Sequence, residues 1–474
     1  MRDDYRVGFS DKRLLIGVLI LAATLRFVGA NSEFWFDEIA TVIGYVRLPA
    51  SQIIRSYEAA NNHVLNSLLA HAAASIWGEQ PWAVRLPSIL FGVAGVWAFH
   101  FLASQLWSGR VALPGTFMFA VSYHHIYYTQ NARGYSGFLF FALLATGLLL
   151  RELRRSPSDV AGSRSAAARG FGAAYACSLG LGMYAMILMI FVIMGHGVVL
   201  LLSRRWRLLG WLLAGVAFAL LLYLPMAEDV ITYYSNQPTE TGHSLLSAEF
   251  LQELKPAIPL LIAASIVAPL LLWRLARRHS VAAALIVLPL VFNIVVPALR
   301  GQGVHPRSLI YGLPVAYFFL MEAMEWASAR RHLDHAAWIG VLAVTIVSIA
   351  MLSRYYPLPK QGFRQALQYV AARRAPMDEQ MGLTLGGKAA RFYDPSVILI
   401  ETSHELQEWL KTADAQTWVI YSFPGEMRQS APELYHWLAT ATASKASFRG
   451  VIGDGDVHVH LWQPQSSAKT SIGQ

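Results

Sequence analysis

The chain has 474 residues, of which 55% are hydrophobic and only 14% are charged, and its formal net charge is +9. This composition excludes an ordinary soluble protein, because apolar runs of about 17 to 25 residues, the length that crosses a membrane core, recur along the chain. The arginines stand in short clusters between these runs, as cytoplasmic anchors do, so the positive charge does not indicate a nucleic-acid partner.

The apolar runs predict eleven membrane spans. One straight helix from Phe171 to Leu202 would extend about 48 Å, against a hydrocarbon core of about 30 Å, so we predict two short passes that turn near Gly182 to Ala185. Every basic cluster then falls on one side, which predicts a cytoplasmic N-terminus and a C-terminus outside. The predicted spans are residues 14–30, 84–106, 111–127, 134–150, 171–185, 187–203, 208–226, 257–273, 281–298, 308–326 and 336–353.

The first outer loop, residues 31–85, is long and polar in places. We assign it, with the spans, to a catalytic membrane domain of residues 1–355. Its stretch from His63 to Trp77 is apolar but short and contains Asn66 and His71. We therefore predict a helix that lies in the membrane interface rather than another span.

The tail predicts a separate soluble α/β domain outside the membrane, residues 356–464, followed by a polar, disordered end, residues 465–474. His458 and His460 share one face of its last predicted strand. Metal binding is one interpretation of this pair, but an ordinary polar strand face is the one we favour. The predicted elements are a helix at Phe363–Arg374, strands at Val397–Glu401, Trp418–Phe423 and Val457–Trp462, and helices at Leu406–Leu410 and Leu434–Leu438.

Two adjacent carboxylates, Asp37 and Glu38, follow the first predicted span within the segment Phe34-Trp35-Phe36-Asp37-Glu38. A carboxylate at membrane depth is expensive and usually faces a cavity in which it acts. Both residues also suit the first turn of a helix, so capping is the alternative role. We favour a functional role because of the membrane context.

Six short motifs carry a family resemblance. The ordered set resembles glycosyltransferase family 39 and its relatives of the GT-C fold, which include protein O-mannosyltransferases and lipid A aminoarabinose transferases. The resemblance implies a bacterial inner-membrane enzyme that moves a sugar from a polyprenyl-phosphate carrier to an acceptor on the outer face. In chain order the motifs are Phe36-Asp37-Glu38, Asn61-Asn62-His63-Val64-Leu65-Asn66, Arg85-Leu86-Pro87-Ser88, Gln130-Asn131-Ala132-Arg133-Gly134-Tyr135, His305-Pro306-Arg307 and Gln361-Gly362-Phe363-Arg364.

The chemistry of such a transfer assigns roles to charged residues. The acceptor hydroxyl needs a base on the face opposite the leaving group, and we predict Asp37 for this role with Glu38 as its support. The departing phosphate needs a cation more than an acid, and Arg133 and Arg307 stand at outer ends of spans, with Tyr135 nearby. For each arginine, snorkelling to lipid phosphates is the alternative.

Four further residues are candidate contacts to substrate or to a metal: Glu58, Asn62, His63 and Asn131. The second outer loop has Gln130 and Asn131 where many relatives have an acidic residue, so the sequence does not require a metal. If a divalent metal binds, Glu58 and His63 are the ligands that we expect.

Two other classes of function stay open. A transporter or lipid flippase explains many spans, but it predicts acids and broken helices near the bilayer midplane, whereas the acids here gather at the outer surface. A non-catalytic protein that binds a lipid-linked sugar is the second alternative, and the neutral Asn131 is compatible with it. The acceptor itself is open between a lipid, a glycan and protein hydroxyls.

Overall fold

The computed structural model describes residues 9–57, 62–155, 166–236, 258–301, 306–330, 333–451 and 455–464. These residues are mostly helical, with one small sheet. They form two compact units, which are here called the membrane unit and the sheet unit. The membrane unit comprises Met1–Ala30 and Gly44–Leu352, and the sheet unit comprises Asn31–Ile43 and Ser353–Gln474.

The helices of the membrane unit follow the apolar runs, and each predicted span coincides with helical residues. The α-helices in chain order, including α2 of the sheet unit and α15, which ends in it, are α1 Phe9–Phe27, α2 Phe36–Thr41, α3 Ala50–Ile53, α4 Val64–Trp77, α5 Pro81–Ala103, α6 Gly109–Val121, α7 Tyr123–Thr129, α8 Tyr135–Leu153, α9 Ala166–Ala185, α10 Met189–Leu202, α11 Trp206–Tyr223, α12 Ala227–Ser235, α13 Ile258–Leu299, α14 Gly312–Ser328 and α15 Asp334–Tyr355.

Five stretches among the described residues are long and apolar enough to cross a membrane. The region predicted to turn near Gly182 is covered by two separate helices, α9 and α10, and α13 is bent at His279, where the backbone leaves the helical region (φ −147°, ψ 64°). The number of crossings stays a prediction. The five stretches are Pro81–Ala103, Tyr135–Leu153, Trp206–Ser235, Ser265–Leu299 and Asp334–Tyr355.

Stacked rings join three helices in the core of the membrane unit. Phe99 of α5 stacks between Phe119 of α6 and Phe318 of α14, with ring centroids 4.4 and 4.7 Å apart. All three rings are buried. Offset stacking of this kind stabilises a core beyond the burial of apolar area, so these helices are held at fixed spacing.

A buried carboxylate fastens one end of the membrane unit. Glu322 of α14 accepts a hydrogen bond from Trp107 Nε1 at 3.0 Å and lies 3.3 Å from Arg278 Nη1. A charge buried among apolar helices requires such partners, because its desolvation is otherwise uncompensated. Arg274 also pairs with Glu322, at 3.6 Å. The basic cluster from Arg274 to Arg278 is thereby anchored to α14.

The sheet unit contains a five-stranded sheet with strand order β2-β1-β3-β5-β4. The first three of these strands are parallel, while β5 is antiparallel to both β3 and β4. The strands are β1 Glu379–Leu383, β2 Ile398–Ile400, β3 Thr417–Tyr421, β4 Ala443–Phe448 and β5 Val457–Trp462, and the helices are α16 Phe363–Ala371, α17 Thr384–Tyr393, α18 Ser403–Thr412, α19 Pro424–Ser430 and α20 Pro432–Ala441.

Two strands of this sheet were not predicted. β1 has the sequence Glu-Gln-Met-Gly-Leu, whose polar residues and glycine hide a central strand, and β4 is a largely exposed edge strand. Gly382 of β1 is required by packing, because a Cβ there would overlap the backbone of Gly387 in α17. A helix that lies this close to a strand needs glycine on both elements.

The sheet unit also contains residues 31–43, the beginning of the loop that follows the first predicted span. The chain leaves the membrane unit after Ala30 and returns to it at Gly44, within a short π-helix, Val42–Val46. The carboxylate pair Asp37 and Glu38 therefore packs with the tail of the chain. The division at residue 355 stays a prediction, and residues 465–474 lie outside the described residues.

Candidate functional site

The carboxylate pair lies on α2, and its two members have different surroundings. Glu38 is fully buried, and its Oε2 accepts a hydrogen bond from the backbone N–H of Trp35, which caps the helix. The same oxygen lies 3.7 Å from Nζ of Lys360, which is also buried. Glu38 is thus committed to a buried ion pair and a cap, whereas Asp37 is only partly buried.

The residue after Lys360 holds the beginning of α2. Gln361 is buried, and its Oε1 accepts a hydrogen bond from the backbone N–H of Phe36 at 2.7 Å. Its Nε2 donates to Ser422 Oγ at 3.3 Å and to the carbonyl of Gly455 at 3.4 Å. The Phe36 ring meets Phe423 edge to face. The Gln-Gly-Phe-Arg motif, which begins at Gln361, therefore positions the carboxylate segment.

A second pair of contacts fixes the approach to α2. Glu33 accepts a hydrogen bond from the backbone N–H of Arg364 at 3.0 Å, and Tyr393 Oη donates to the carbonyl of Phe34 at 2.9 Å. Burial raises the pKa of Glu33 to about 7, although the Arg364 backbone bond and charge act in the opposite direction. The segment is therefore held by an acid that titrates near neutral pH.

A cleft in the membrane unit brings together five of the predicted site residues. Its empty volume is about 700 Å³. The lining combines cationic, aromatic and apolar side chains, as small-molecule sites commonly do. The residues that line it are Tyr57, Asn62, His63, Arg133, Tyr135, Met186, Ile187, Leu188, Tyr223, Arg307 and Ser308.

Arg133 and His63 form the centre of this arrangement. Nε of Arg133 donates to Nε2 of His63 at 3.4 Å, and the guanidinium lies 5.5 Å from the ring centre of Tyr135. His63 is also hydrogen-bonded to the backbone of Ala185. Because Nε2 is the acceptor, the ring proton lies on Nδ1 and is donated to the Ala185 carbonyl.

The surroundings of His63 favour its neutral form. Its pKa is held well below the usual value, first by burial and then by the charges of Arg133 and Arg307, while the bond to Ala185 acts in the opposite direction. A neutral ring orients the Arg133 guanidinium without cancelling its positive charge. The hydrogen bond to His63 therefore does not itself neutralise the guanidinium.

The backbone around Arg133 is fixed by close packing. A Cβ at Gly134 would overlap the carbonyl oxygen of Ala185, so only glycine fits between Arg133 and Tyr135. Ser88 Oγ is shared between the carbonyl of Arg133 at 3.0 Å and Asn66 Oδ1 at 2.8 Å. The segment from Gln130 to Tyr135 is consequently positioned by helices from three parts of the chain.

Arg307 reaches the cleft from a different element. It lies on a 3-10 helix, Pro306–Tyr311, that precedes α14, and it is exposed. Nδ2 of Asn293, a buried residue of α13, donates to the carbonyl of Ser308 at 2.7 Å and ties this helix down. The two arginines thus belong to separately anchored segments, and His305, the first residue of the His-Pro-Arg motif, lies outside the described residues.

The remaining candidates divide into structural and undescribed residues. The Asn62 amide donates to the carbonyls of Ile53 and Ser56 and accepts from Ser67, so it organises its own loop while lining the cleft. Asn131 is buried, and its carbonyl accepts from the backbone N–H of Arg133.

The described residues do not assemble a metal centre. They contain no group of three or more His, Cys, Asp or Glu side chains that suits a metal ion. Glu58 lies outside the described residues, and the lone pair of His63 that a metal would use accepts from Arg133. His460 is hydrogen-bonded to Tyr421 Oη and to Thr442 Oγ1, and His458 stacks on Tyr421, as side chains on an ordinary strand face do.

Several residues of the site were missed from the sequence. Tyr57 and Tyr223 line the cleft, and its wall includes the short break between α9 and α10, residues 186–188. Lys360 was missed as the partner of Glu38, although it directly precedes a recognised motif. The sequence around either residue does not show that Glu38 and Lys360 pair, because the two are far apart in the chain and are brought together only by tertiary packing.

The architecture is shared with solved structures. ArnT from Cupriavidus metallidurans in the apo state matches with a TM-score of 0.57 at 13% identity, over 95% of this chain and 98% of that one. ArnT bound to undecaprenyl phosphate gives 0.55 at 14% identity, over 94% and 97%. The archaeal oligosaccharyltransferase AglB from Archaeoglobus fulgidus, in complex with an inhibitory peptide and a dolichol-phosphate, gives 0.54 at 11%, over 91% and 71%.

ArnT and AglB are GT-C fold glycosyltransferases. This chain has the GT-C fold. The predicted resemblance is confirmed at the level of fold. Neither a protein-family model nor a curated protein sequence matches the chain, so the likeness lies in structure rather than in sequence.

Proposed function

We propose that this GT-C protein is an inverting glycosyltransferase that moves a sugar from a polyprenyl-phosphate carrier to an acceptor hydroxyl. The observation that carries the proposal is the cleft in which Arg133 and Arg307 meet beside a neutral His63. ArnT, which shares the fold over nearly the whole chain, binds undecaprenyl phosphate. A cleft with two guanidinium groups suits the same phosphate chemistry.

The two arginines serve the leaving group in this proposal. Negative charge on the carrier phosphate increases as its bond to the anomeric carbon breaks, and preorganised cations stabilise that charge without reorganising. The bond to His63 holds the Arg133 guanidinium in one orientation, so a fork of N–H groups is presented to the phosphate. Tyr135 stacks beside this guanidinium and supports it.

Asp37 acts as the base. Of the two adjacent carboxylates, Glu38 is fully buried beside Lys360, whereas Asp37 is only partly buried and is therefore the better candidate for proton transfer. Asp37 removes the proton of the acceptor hydroxyl, and the resulting oxygen attacks the anomeric carbon. The bond from that carbon to the phosphate oxygen breaks on the opposite face, which releases polyprenyl phosphate and inverts the configuration.

One experiment tests the reaction class directly. The lipid-linked sugars and envelope glycans of cells with and without the gene are compared by mass spectrometry, and accumulation of one polyprenyl-phosphate sugar in the deletion strain is expected. Addition of purified protein to that lipid fraction should then consume the species and release polyprenyl phosphate. A flippase or a non-catalytic binder would leave the sugar-phosphate bond intact, and that result contradicts the proposal.

The location is part of the same proposal. We place the protein in a bacterial inner membrane, with the N-terminus in the cytoplasm and the tail outside it. A reporter fused after Ser353 should be found outside the cytoplasm, and one inserted between Ser156 and Ala168 should be found inside. Both reporters on the same side would reduce the number of spans to ten.

A further inference from the structure

The turn between α10 and α11 carries three arginines within four positions, Arg204, Arg205 and Arg207. Arg204 has a φ of 52°, in the left-handed region that glycine adopts freely and other L residues rarely adopt. The chain thus has an arginine at a position where glycine would adopt the same backbone conformation without strain. A strained position of this kind points to a use for its side chain.

These arginines line a cleft of about 600 Å³ in the membrane unit. The cleft combines guanidinium groups with an indole ring and one buried acid. Its lining residues are Glu152, Arg204, Arg205, Trp206, Arg207 and Leu208.

The local charge is positive after the internal pairs are taken into account. Glu152 is the acid of the cleft, and its two oxygens lie 2.9 Å from Arg155 Nη1 and 4.0 Å from Arg207 Nη2. Within the described part of the chain, Arg204 and Arg205 form no ion pair, and both are exposed. Two guanidinium groups are therefore accessible to an anion from outside the protein.

Apolar side chains adjoin this charge on both helices. Leu202 at the end of α10 is 81% exposed, and Trp206 at the start of α11 is 63% exposed. Leu213, further along α11, is also exposed, and this helix belongs to a stretch long and apolar enough to cross a membrane. A ligand that fits both surfaces has an anionic head and hydrocarbon chains.

We propose that the cleft binds the phosphodiester headgroup of an anionic phospholipid, whose acyl chains lie along the exposed leucines of α10 and α11. Arg204 and Arg205 donate charge-assisted hydrogen bonds to the phosphate oxygens, and Trp206 lies at headgroup level. The function of this site is separate from the sugar-transfer site, so its test does not depend on the proposed activity.

The test measures lipid retention on the purified full-length protein by native mass spectrometry. Delipidated protein is exposed to mixed micelles that contain phosphatidylglycerol or phosphatidylcholine at equal concentration. Retention of phosphatidylglycerol should exceed that of phosphatidylcholine by about tenfold, because both headgroups offer a phosphodiester but the choline cation of phosphatidylcholine is repelled by the arginines of the cleft. Equal retention of the two lipids overturns the proposal.

The Arg204→Gly variant separates binding from folding. It removes a cation and relieves the left-handed backbone, so it should be at least as thermostable as wild type and yet lose about tenfold in phosphatidylglycerol retention. Arg205→Gln should lose a similar factor, whereas Arg110→Gln, at an exposed arginine elsewhere in the membrane unit, should lose none. Wild-type retention in both cleft variants overturns the assignment.

Inorganic phosphate distinguishes a lipid site from a simple anion site. At millimolar concentration it should displace little phosphatidylglycerol, because it lacks the acyl chains that contact α10 and α11. Complete displacement by inorganic phosphate overturns the assignment to a phospholipid.

Discussion

In the membrane unit, the buried Arg133 has a neutral ring, His63, as a partner, whereas in the sheet unit the buried Glu38 has a full cation, Lys360. The neutral partner orients a charge without cancelling it. The ionic partner cancels the charge and fixes the backbone around it. The first arrangement suits ligand binding, and the second suits structural support.

The same comparison separates Asp37 from Glu38. The two carboxylates are neighbours in sequence, but only Glu38 is fully buried in the ion pair. Charge is therefore expected to serve a ligand at Asp37 and Arg133 and to serve structure at Glu38 and Lys360.

The largest expected effect is on Asp37. Asp37→Asn should reduce transfer by at least about 100-fold, because it removes a general base, while the thermal midpoint stays within about 2 °C, because the change is nearly isosteric and the cap of α2 is formed by Glu38 rather than by Asp37. Transfer is measured by mass spectrometry with purified protein. Asp414→Asn, at an exposed position of the same unit, is the matched control. Activity within tenfold of wild type would remove Asp37 from the mechanism.

The next effect concerns the stability of the sheet unit. Lys360→Met leaves Glu38 buried without its cation and should destabilise the unit by about 3–5 kcal/mol. Adding Glu38→Gln should recover much of that loss, since the uncompensated charge is then gone. Thermal unfolding in detergent measures both variants.

An exposed lysine of the same unit provides the control for that measurement. Lys388 pairs with Glu401 at 2.5 Å, with both side chains more than 40% exposed. Lys388→Met should cost less than about 1 kcal/mol, as surface ion pairs do. Equal losses at the two lysines would show that the Lys360 pair has no special structural weight.

A smaller effect is expected on donor binding. Arg133→Lys should weaken binding of a polyprenyl-phosphate analogue by about tenfold, because an ammonium cannot reproduce the fork of a guanidinium. Arg307→Lys should lose less, because this arginine is exposed. Arg110→Lys is the control. Wild-type binding by both cleft variants would favour snorkelling and place the phosphate site elsewhere.

The last expected effect is a dependence of stability on pH. The pKa of Glu33 is raised to about 7 in the folded protein, so its contribution to stability is complete below its ordinary pKa of 4.5 and is lost as the pH rises through 7. Glu33→Gln should therefore flatten the fall in thermal midpoint between pH 5 and about pH 8. A midpoint in wild type that does not fall over this range contradicts the prediction.

The helices of the membrane unit were predictable because the length of each apolar run can be compared directly with the thickness of the hydrocarbon core. The strands β2, β3 and β5 were predictable for a related reason, since they are apolar or alternate. Strand β1 was not predictable, because it is not a continuous apolar run and its place inside the sheet depends on pairing with β2 and β3.

The candidate site was predictable in part. The motifs indicated Arg133, Arg307 and His63, and the structure brings them to one cleft. The hydrogen bond from Arg133 to His63 and the ion pair of Glu38 were not predictable, because each joins residues far apart in the chain. The sequence does not distinguish the two neighbouring carboxylates. They differ in the structure, where Glu38 pairs with Lys360.

The pairing of Glu38 with Lys360 also sets an order of events during synthesis. Glu38 leaves the ribosome about 320 residues before its partner, which at about 5–20 residues per second is a delay on the order of half a minute. Throughout that time α2 lacks the contacts that hold it. A chain truncated before residue 360 therefore lacks both the Lys360 cation that pairs with Glu38 and the Gln361 oxygen that accepts from the backbone N–H of Phe36.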